Sequence, residues 1–185
     1  MFGVRGAPSR RLNDYRAVWR WMMDGSMFLP EFDHEFAETR RALEAVPEEK
    51  FDWKPHDKSF SLHQLAGHLA EVPTWTGVTM SMDVFDVDAG YERVIPKTKA
   101  DILARFDEGV AEARKILQET SGETLMQTWS MKKDGEVVMA MPKAAVLRSF
   151  ILNHNVHHRA QLGVYLRMLD VAVPGHYGPS ADEPM

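Results

Sequence analysis

The chain has no cysteine among its 185 residues, which excludes disulfides, thiolate metal ligands and a cysteine nucleophile together. Any thiol in its chemistry must arrive as a small molecule. Long apolar runs are also missing. Nothing approaches the ~18 apolar residues that span a bilayer, and the stretch from Trp19 to Met23 is interrupted by Arg20, so it forms no signal-peptide core. A cytoplasmic protein with no membrane partner is the expectation. Positive charge is in deficit, at a net −5, so no general attraction to nucleic acid or anionic lipid is expected. No G-x-G-x-x-G or Walker loop occurs, and nucleotide cofactors are not indicated.

What is present suits one globular domain. Apolar and charged fractions of 44% and 26% are ordinary for a soluble fold, and the length supports a single core. Twelve methionines read as padding of that core. Residues 1–26 differ from the rest: Arg5, Arg10, Arg11, Arg16 and Arg20 face only Asp14 and Asp24. They read as a basic docking arm or helix, or as an extension ahead of a later start such as Met23 or Met27. The domain proper is expected over 27–185.

Helical periodicity dominates that domain. A first helix is expected from about Pro30 to Val46, with Phe32, Phe36 and Leu43 inward and His34 in solvent. The aromatic connector Phe51 to Asp57 comes next. A second helix is expected from Ser59 or Ser61, either of which can N-cap, with the seam Leu65, His68, Val72 and Trp75. Pro73 should kink it just after Glu71. After a long connection from Asp83 to Lys97, Thr98 caps a third helix running to about Glu119, burying Ile102, Phe106, Val110, Ala113 and Leu117. Asp134-Gly135 lies between the β-compatible runs Trp129 to Met131 and Glu136 to Met141, which predicts a small hairpin. Pro142 then opens a fourth helix over Lys143 to Asp170. The expected class is all-α, a four-helix bundle with a long crossover and a short hairpin before the last helix.

The fourth helix carries the chemistry. Leu147, Ile151, His154, His158, Gln161, Tyr165 and Met168 recur at helical spacing and predict its packed seam. Two imidazoles four residues apart lie one turn above each other. His68 is the other histidine on a helical seam, so His68, His154 and His158 are the expected ligands of an open three-histidine site for a divalent metal, with zinc or nickel favoured over iron or manganese. His157, about 100° round the helix, is expected at the surface or behind the ligands. Gln161 and Asn153 are candidates to hydrogen-bond the ligands from behind. Arg159 either pairs with a carboxylate on a neighbouring helix or holds a fixed positive charge near the metal. Glu71, one turn beyond His68, is the acid/base candidate. Asn155 stands where a zincin needs glutamate, which removes that protease chemistry. The reversed order of His68 and Glu71 does not fit a di-iron bundle.

Three stretches resemble the DinB/YfiT-like family: Phe51-Asp52-Trp53-Lys54-Pro55, Leu65-Ala66-Gly67-His68-Leu69-Ala70-Glu71, and Asn153-His154 through His158-Arg159-Ala160-Gln161-Leu162. The ending Tyr177-Gly178-Pro179-Ser180-Ala181-Asp182 is also similar to many members. The resemblance implies an up-down-down-up bundle, a divalent metal on His68, His154 and His158, and a homodimer. It further implies thiol S-transfer or isomerisation with a small-molecule thiol and an electrophile, in which Glu71 and Arg159 are the catalytic candidates. Ala160 stands where glycine is common in the motif. Three rival readings remain: a metal-binding bundle without catalysis, a metal-dependent hydrolase, and a metal-free bundle whose histidines are satisfied by Glu71, Asn153 and Gln161.

Overall fold

A computed structural model describes residues 24–90 and 95–184. The basic arm lies outside the described residues except at its end, where Asp24 caps a tight turn over Gly25–Phe28 and the Gly25 N–H donates to the Thr120 carbonyl at 2.8 Å.

Local signals set most of the helices. In α1 (Leu29–Glu44), Pro30 sits in the first turn and Glu31 faces the positive end of the helix dipole. Ser61 caps α2 (Leu62–Glu71) in a reciprocal box with Gln64. As expected from Pro73, α2 stops at Glu71. A tight turn over Val72–Thr74 intervenes before α3 (Trp75–Ser81). Thr98 caps α4 (Lys99–Glu119), and Gly109 rather than Val110 is its buried mid-point. A β-carbon on Gly109 would stand 3.0 Å from the Thr74 methyl group, so glycine lets the Pro73 kink nest against α4.

A short α5 (Gly122–Met126) leads into the sheet, whose strands are β1 (Val84–Asp86), β2 (Thr128–Lys133) and β3 (Glu136–Pro142). The expected hairpin is β2–β3, closed by Asp134 and Gly135, both at positive φ. β1 adds to it in parallel, with Phe85 opposite Met131. The molecule is therefore mostly helical but not all-α. Three residues, the last of them Asp86, are too few to declare β1 by alternation.

α1 and α2 each pack against both α4 and α7 (Asn153–Met168). Asp33 with Arg114 and Arg40 with Asp107 show α1 antiparallel to α4. Glu31 with Arg148 and Thr39 with Asn155 show α1 running with the last helix. α2 and α3 run with α4, since Pro73 meets Gly109 and Gly77 meets Ile116. Chain direction is therefore shared by the first and fourth legs and reversed in the second and third. The core lies between them around Phe32, Phe36, Leu65, Leu69, Phe106 and Leu162.

The fourth leg is the largest departure from the expected pattern. It begins as α6 (Lys143–Val146), widens to a π-helical turn over Leu147–Leu152, and continues as α7. A π turn uses an extra residue, which rotates the downstream helix by about 100°. The buried stripe becomes Leu152, Asn155, Arg159, Leu162 and Leu166. His154 and His158 are half-buried, while Gln161 and Met168 are exposed. The histidines flank the core instead of filling it.

Candidate metal centre

Two helices bring three imidazoles together. The capping box fixes the start of α2 and so the direction of His68, which is 6% exposed. His154 and His158 come from α7. Ring centroids are 4.4 Å apart for His154 and His158, 4.5 Å for His68 and His158, and 5.0 Å for His68 and His154. One ring nitrogen from each lies within 4.8 Å of the others, and the Nε2 atoms of His68 and His154 are 2.8 Å apart. Two nitrogens at about 2.0–2.1 Å from one ion stand roughly 2.9 Å apart at a right angle and roughly 3.3 Å apart at the tetrahedral angle of zinc, so the pair is already near the spacing an ion would set. An all-imidazole donor set at this spacing fits a borderline divalent ion.

The surroundings orient the rings. Gln161 Oε1 is 2.7 Å from His158 Nδ1. An amide oxygen only accepts, so Nδ1 carries the hydrogen and Nε2 presents its lone pair. Glu71, 2% exposed, places a carboxylate oxygen 4.0 Å from His68 Nδ1. Trp75 at the start of α3 packs its ring 5.5 Å from His68 and 5.2 Å from His154. His157 is exposed, as expected, with its ring 4.9 Å from His158. Asn153 is exposed on the same outer side. Beside the triad is a cavity of about 470 Å³ bordered by His68, Glu71 and Trp75 and otherwise mostly by apolar side chains.

Arg159 takes the ion-pair role rather than the metal-side one. It is 1% exposed. Its Nη2 donates to Glu35 Oε2 at 2.7 Å and its Nη1 to the Glu35 carbonyl at 2.7 Å, both on α1. Tyr177, from the C-terminal tail, accepts from Arg159 at 2.8 Å and donates to Glu35 at 2.6 Å. Burial, then the Glu35 bond, pushes the Tyr177 phenol above its ordinary value. Thr39 donates to Asn155 in the same α1–α7 seam. Glu35, Thr39 and Asn155 are residues that sequence reasoning missed. The available signal was that Glu35 and Thr39 lie on the buried stripe beside Phe32, Phe36 and Leu43.

The tail is fastened by charge. His176 meets Glu38, Arg41 meets Glu38 and Glu183, and Arg167 meets Asp182. Burial raises the Glu38 carboxyl, but the His176 hydrogen bond and the Arg41 charge outweigh it and hold it below its ordinary value. The Arg167 bond lowers Asp182 and the Arg41 bond lowers Glu183. Carboxylates lowered in the folded state contribute stability above the ordinary carboxylate range and lose it as pH falls through the lowered values. Tail docking is therefore expected at neutral pH and release below about pH 4. Hydrogen exchange over 171–184, corrected for intrinsic rates, reads this directly. Protection unchanged down to pH 3 would contradict it.

Among the described residues, no helix is long and apolar enough to cross a membrane. Residues 22–184 match the family profile described as the DinB family. A DinB-like protein of Bacillus cereus superposes with a TM-score of 0.64 at 20% identity, covering 81% of this chain and 95% of that one. YfiT from Bacillus subtilis, described as a probable metal-dependent hydrolase with an unusual four-helix bundle topology, superposes at 0.59 with 13% identity over 92% of this chain and 95% of its own. YrdA, an uncharacterized protein of Bacillus subtilis, is 23% identical over 158 residues, 84% of this chain and 89% of its own length. At these identities the solved structures speak for the fold.

Proposed function

This chain belongs to the DinB family, and from that premise we propose that it is a divalent-metal-dependent enzyme joining a small-molecule thiol to an apolar electrophile. The observation that carries this is the shared wall: His68 belongs both to the imidazole triad and to the mainly apolar cavity. His68, His154 and His158 would hold the ion, with zinc or nickel favoured by the imidazole donors and iron or manganese behind them. Such an ion lowers the pKa of a nucleophile brought to it and polarises an electrophile.

The remaining tasks fall to the chain. In this reading Gln161 holds the His158 tautomer, Trp75 and the apolar walls exclude water, and Glu71, on the same cavity wall and 4.0 Å from His68, would take a proton from the incoming nucleophile. Because the chain has no cysteine, the thiol is a separate molecule. This reading gives Arg159 a structural part instead of a catalytic one, because its hydrogen bonds go to α1 and the tail.

A second reading, hydrolysis, draws support from the description of YfiT. The two separate on one plate. Zinc- and nickel-loaded protein is assayed with glutathione, bacillithiol and mycothiol against chlorobimane, and without thiol against p-nitrophenyl esters. Thioether formation with release of chloride at least about 100-fold faster than in His68→Ala is the expected result, by the size typical of lost acid–base activation. Ester cleavage without thiol would favour the hydrolase, and silence in every arm would remove both.

A further inference from the structure

Four apolar side chains are exposed together at the end of the bundle where the described chain begins. Met27 lies in the turn whose Gly25 N–H donates to the Thr120 carbonyl. Thr120 leads through α5 to Met126. Beside it, the Gln127 carbonyl accepts from the Lys143 N–H at 2.9 Å. The Lys143 ammonium donates to the Met80 carbonyl at 3.1 Å and meets Asp83 at 3.0 Å, which brings Met82 and Val84 to the same end. All four are exposed, Met126 by 67%. Single exposed apolar residues are ordinary, but a contiguous group marks an interaction surface. Val84 also shares β1 with Phe85, which turns the other way and stacks on Trp129 at 6.3 Å to roof the cavity beside the triad.

The same surface is acidic. Residues 24–31, 80–88 and 119–131 hold seven carboxylates and no lysine or arginine, and Asp86, Glu119 and Glu123 are exposed there. The lysines of the sheet, Lys132 and Lys133, stand at its far end beside the hairpin turn. Residues 1–23, which lead into this surface, have the opposite sign, with five arginines against Asp14 alone. They lie outside the described residues, but their sequence carries a pattern. Leu12, Tyr15, Trp19 and Met22 recur at spacings of 3, 4 and 3, and Arg16 and Arg20 follow one border of that stripe. The family match begins at residue 22, so this stripe is no part of the shared bundle.

A helix this short is marginal in water alone, so the stripe needs a surface. A tether as short as Met23 and Asp24 presents it to the nearest one at an effective concentration on the order of mM. We propose that residues 10–22 form a strap helix lying on this chain's own Met27, Met82, Val84 and Met126, with Arg16 and Arg20 meeting Glu119 and Glu123. As a helix those 13 residues span about 20 Å, the width of two helices packed about 8–10 Å apart. The strap holds the outside of the strand whose Phe85 roofs the cavity. Its docking needs neither the metal nor the reaction.

Amide hydrogen exchange of the full chain at neutral pH reads this docking. Amides of residues 15–22 are expected to exchange at least about tenfold more slowly than their intrinsic rates. Met82→Asn with Met126→Asn should bring them back to within about threefold of those rates. Met168→Asn, at a side chain 55% exposed but at the far end of the fourth leg, should leave the protection unchanged. Arg16→Glu with Arg20→Glu should also remove it, and adding Glu119→Arg with Glu123→Arg should restore it. Arg16 and Arg20 precede the bundle in the chain, so that exchange of charges decides alone if the methionine variant misfolds.

Intrinsic rates in the wild type would overturn the proposal, as would protection that survives either set of substitutions in a folded chain. Protection that falls on dilution would assign the stripe to a second copy of this chain. Protection that appears only with phosphatidylglycerol vesicles would assign it to an anionic membrane. Both of those results reject docking on the chain's own end.

Discussion

Replacing Arg159 with methionine is expected to lower the stability of the fold by about 3–5 kcal/mol, the usual loss when one partner of a buried ion pair is removed. Glu35 is 6% exposed, and of the two donors to its carboxylate, Arg159 and Tyr177, only Tyr177 would remain. Against a total of about 5–15 kcal/mol, that is a large fraction. At about 2–4 °C per kcal/mol for a chain of this size, the midpoint should fall by roughly 6–20 °C. The double variant Arg159→Met with Glu35→Leu should recover much of the loss, because no lone charge remains. Tyr177→Phe removes single hydrogen bonds at the edge and should cost about 1 kcal/mol. Urea unfolding of the four chains measures the coupling. A loss under about 1 kcal/mol in Arg159→Met would contradict the burial of the pair. Zinc affinity should change little in that variant, which separates a role in holding α1 to α7 from one at the triad.

The difference between these roles was hard to read from sequence, and the reason is specific. Elements with local punctuation were legible: Ser61 and Gln64 start α2, Pro73 ends it, Thr98 starts α4, and Asp134-Gly135 closes the hairpin. Nothing in Leu147–Leu152 marks a π turn, since neither glycine nor proline occurs there. Its one-residue advance moved the seam from His154, His158 and Gln161 to Asn155, Arg159 and Leu162. The triad nevertheless assembled as expected, because a rotation carries His154 and His158 together and their four-residue spacing survives it. The Arg159–Glu35 pair spans 124 positions, beyond any local pattern. The cavity roof was missed for the same reason: β1 and β2 are far apart in the chain, pairing Val84 with Ser130, and neither segment announces the other.

The metal centre carries the second large effect. His158→Ala removes one of three imidazoles, and since changes behind a ligand alone cost about 10–100-fold in metal affinity, losing a ligand should cost more than about 100-fold. His68→Ala and His154→Ala should match it. His157→Ala, one residue away but exposed, should leave affinity within a few-fold. Gln161→Leu should fall between, because Nδ1 of His158 loses its acceptor. Zinc at about 100 times its dissociation constant should add about 2.7 kcal/mol of stability to the wild type and less than about 0.4 kcal/mol at that concentration to the three ligand variants. Competition titration and thermal unfolding read this independently. Equal affinity in His157→Ala and His158→Ala, both reduced, would mean that the wrong face of α7 had been assigned.

Zinc retained per chain, after loading the wild type and exhaustive dialysis without chelator, tests the centre most directly when combined with X-ray absorption at the zinc edge. The expected result is one zinc per chain, with three imidazole nitrogens at about 2.0–2.1 Å. A chain that retains no zinc, and none of nickel, iron or manganese offered in the same way, would contradict the centre and leave the three histidines as polar side chains at the edge of the bundle.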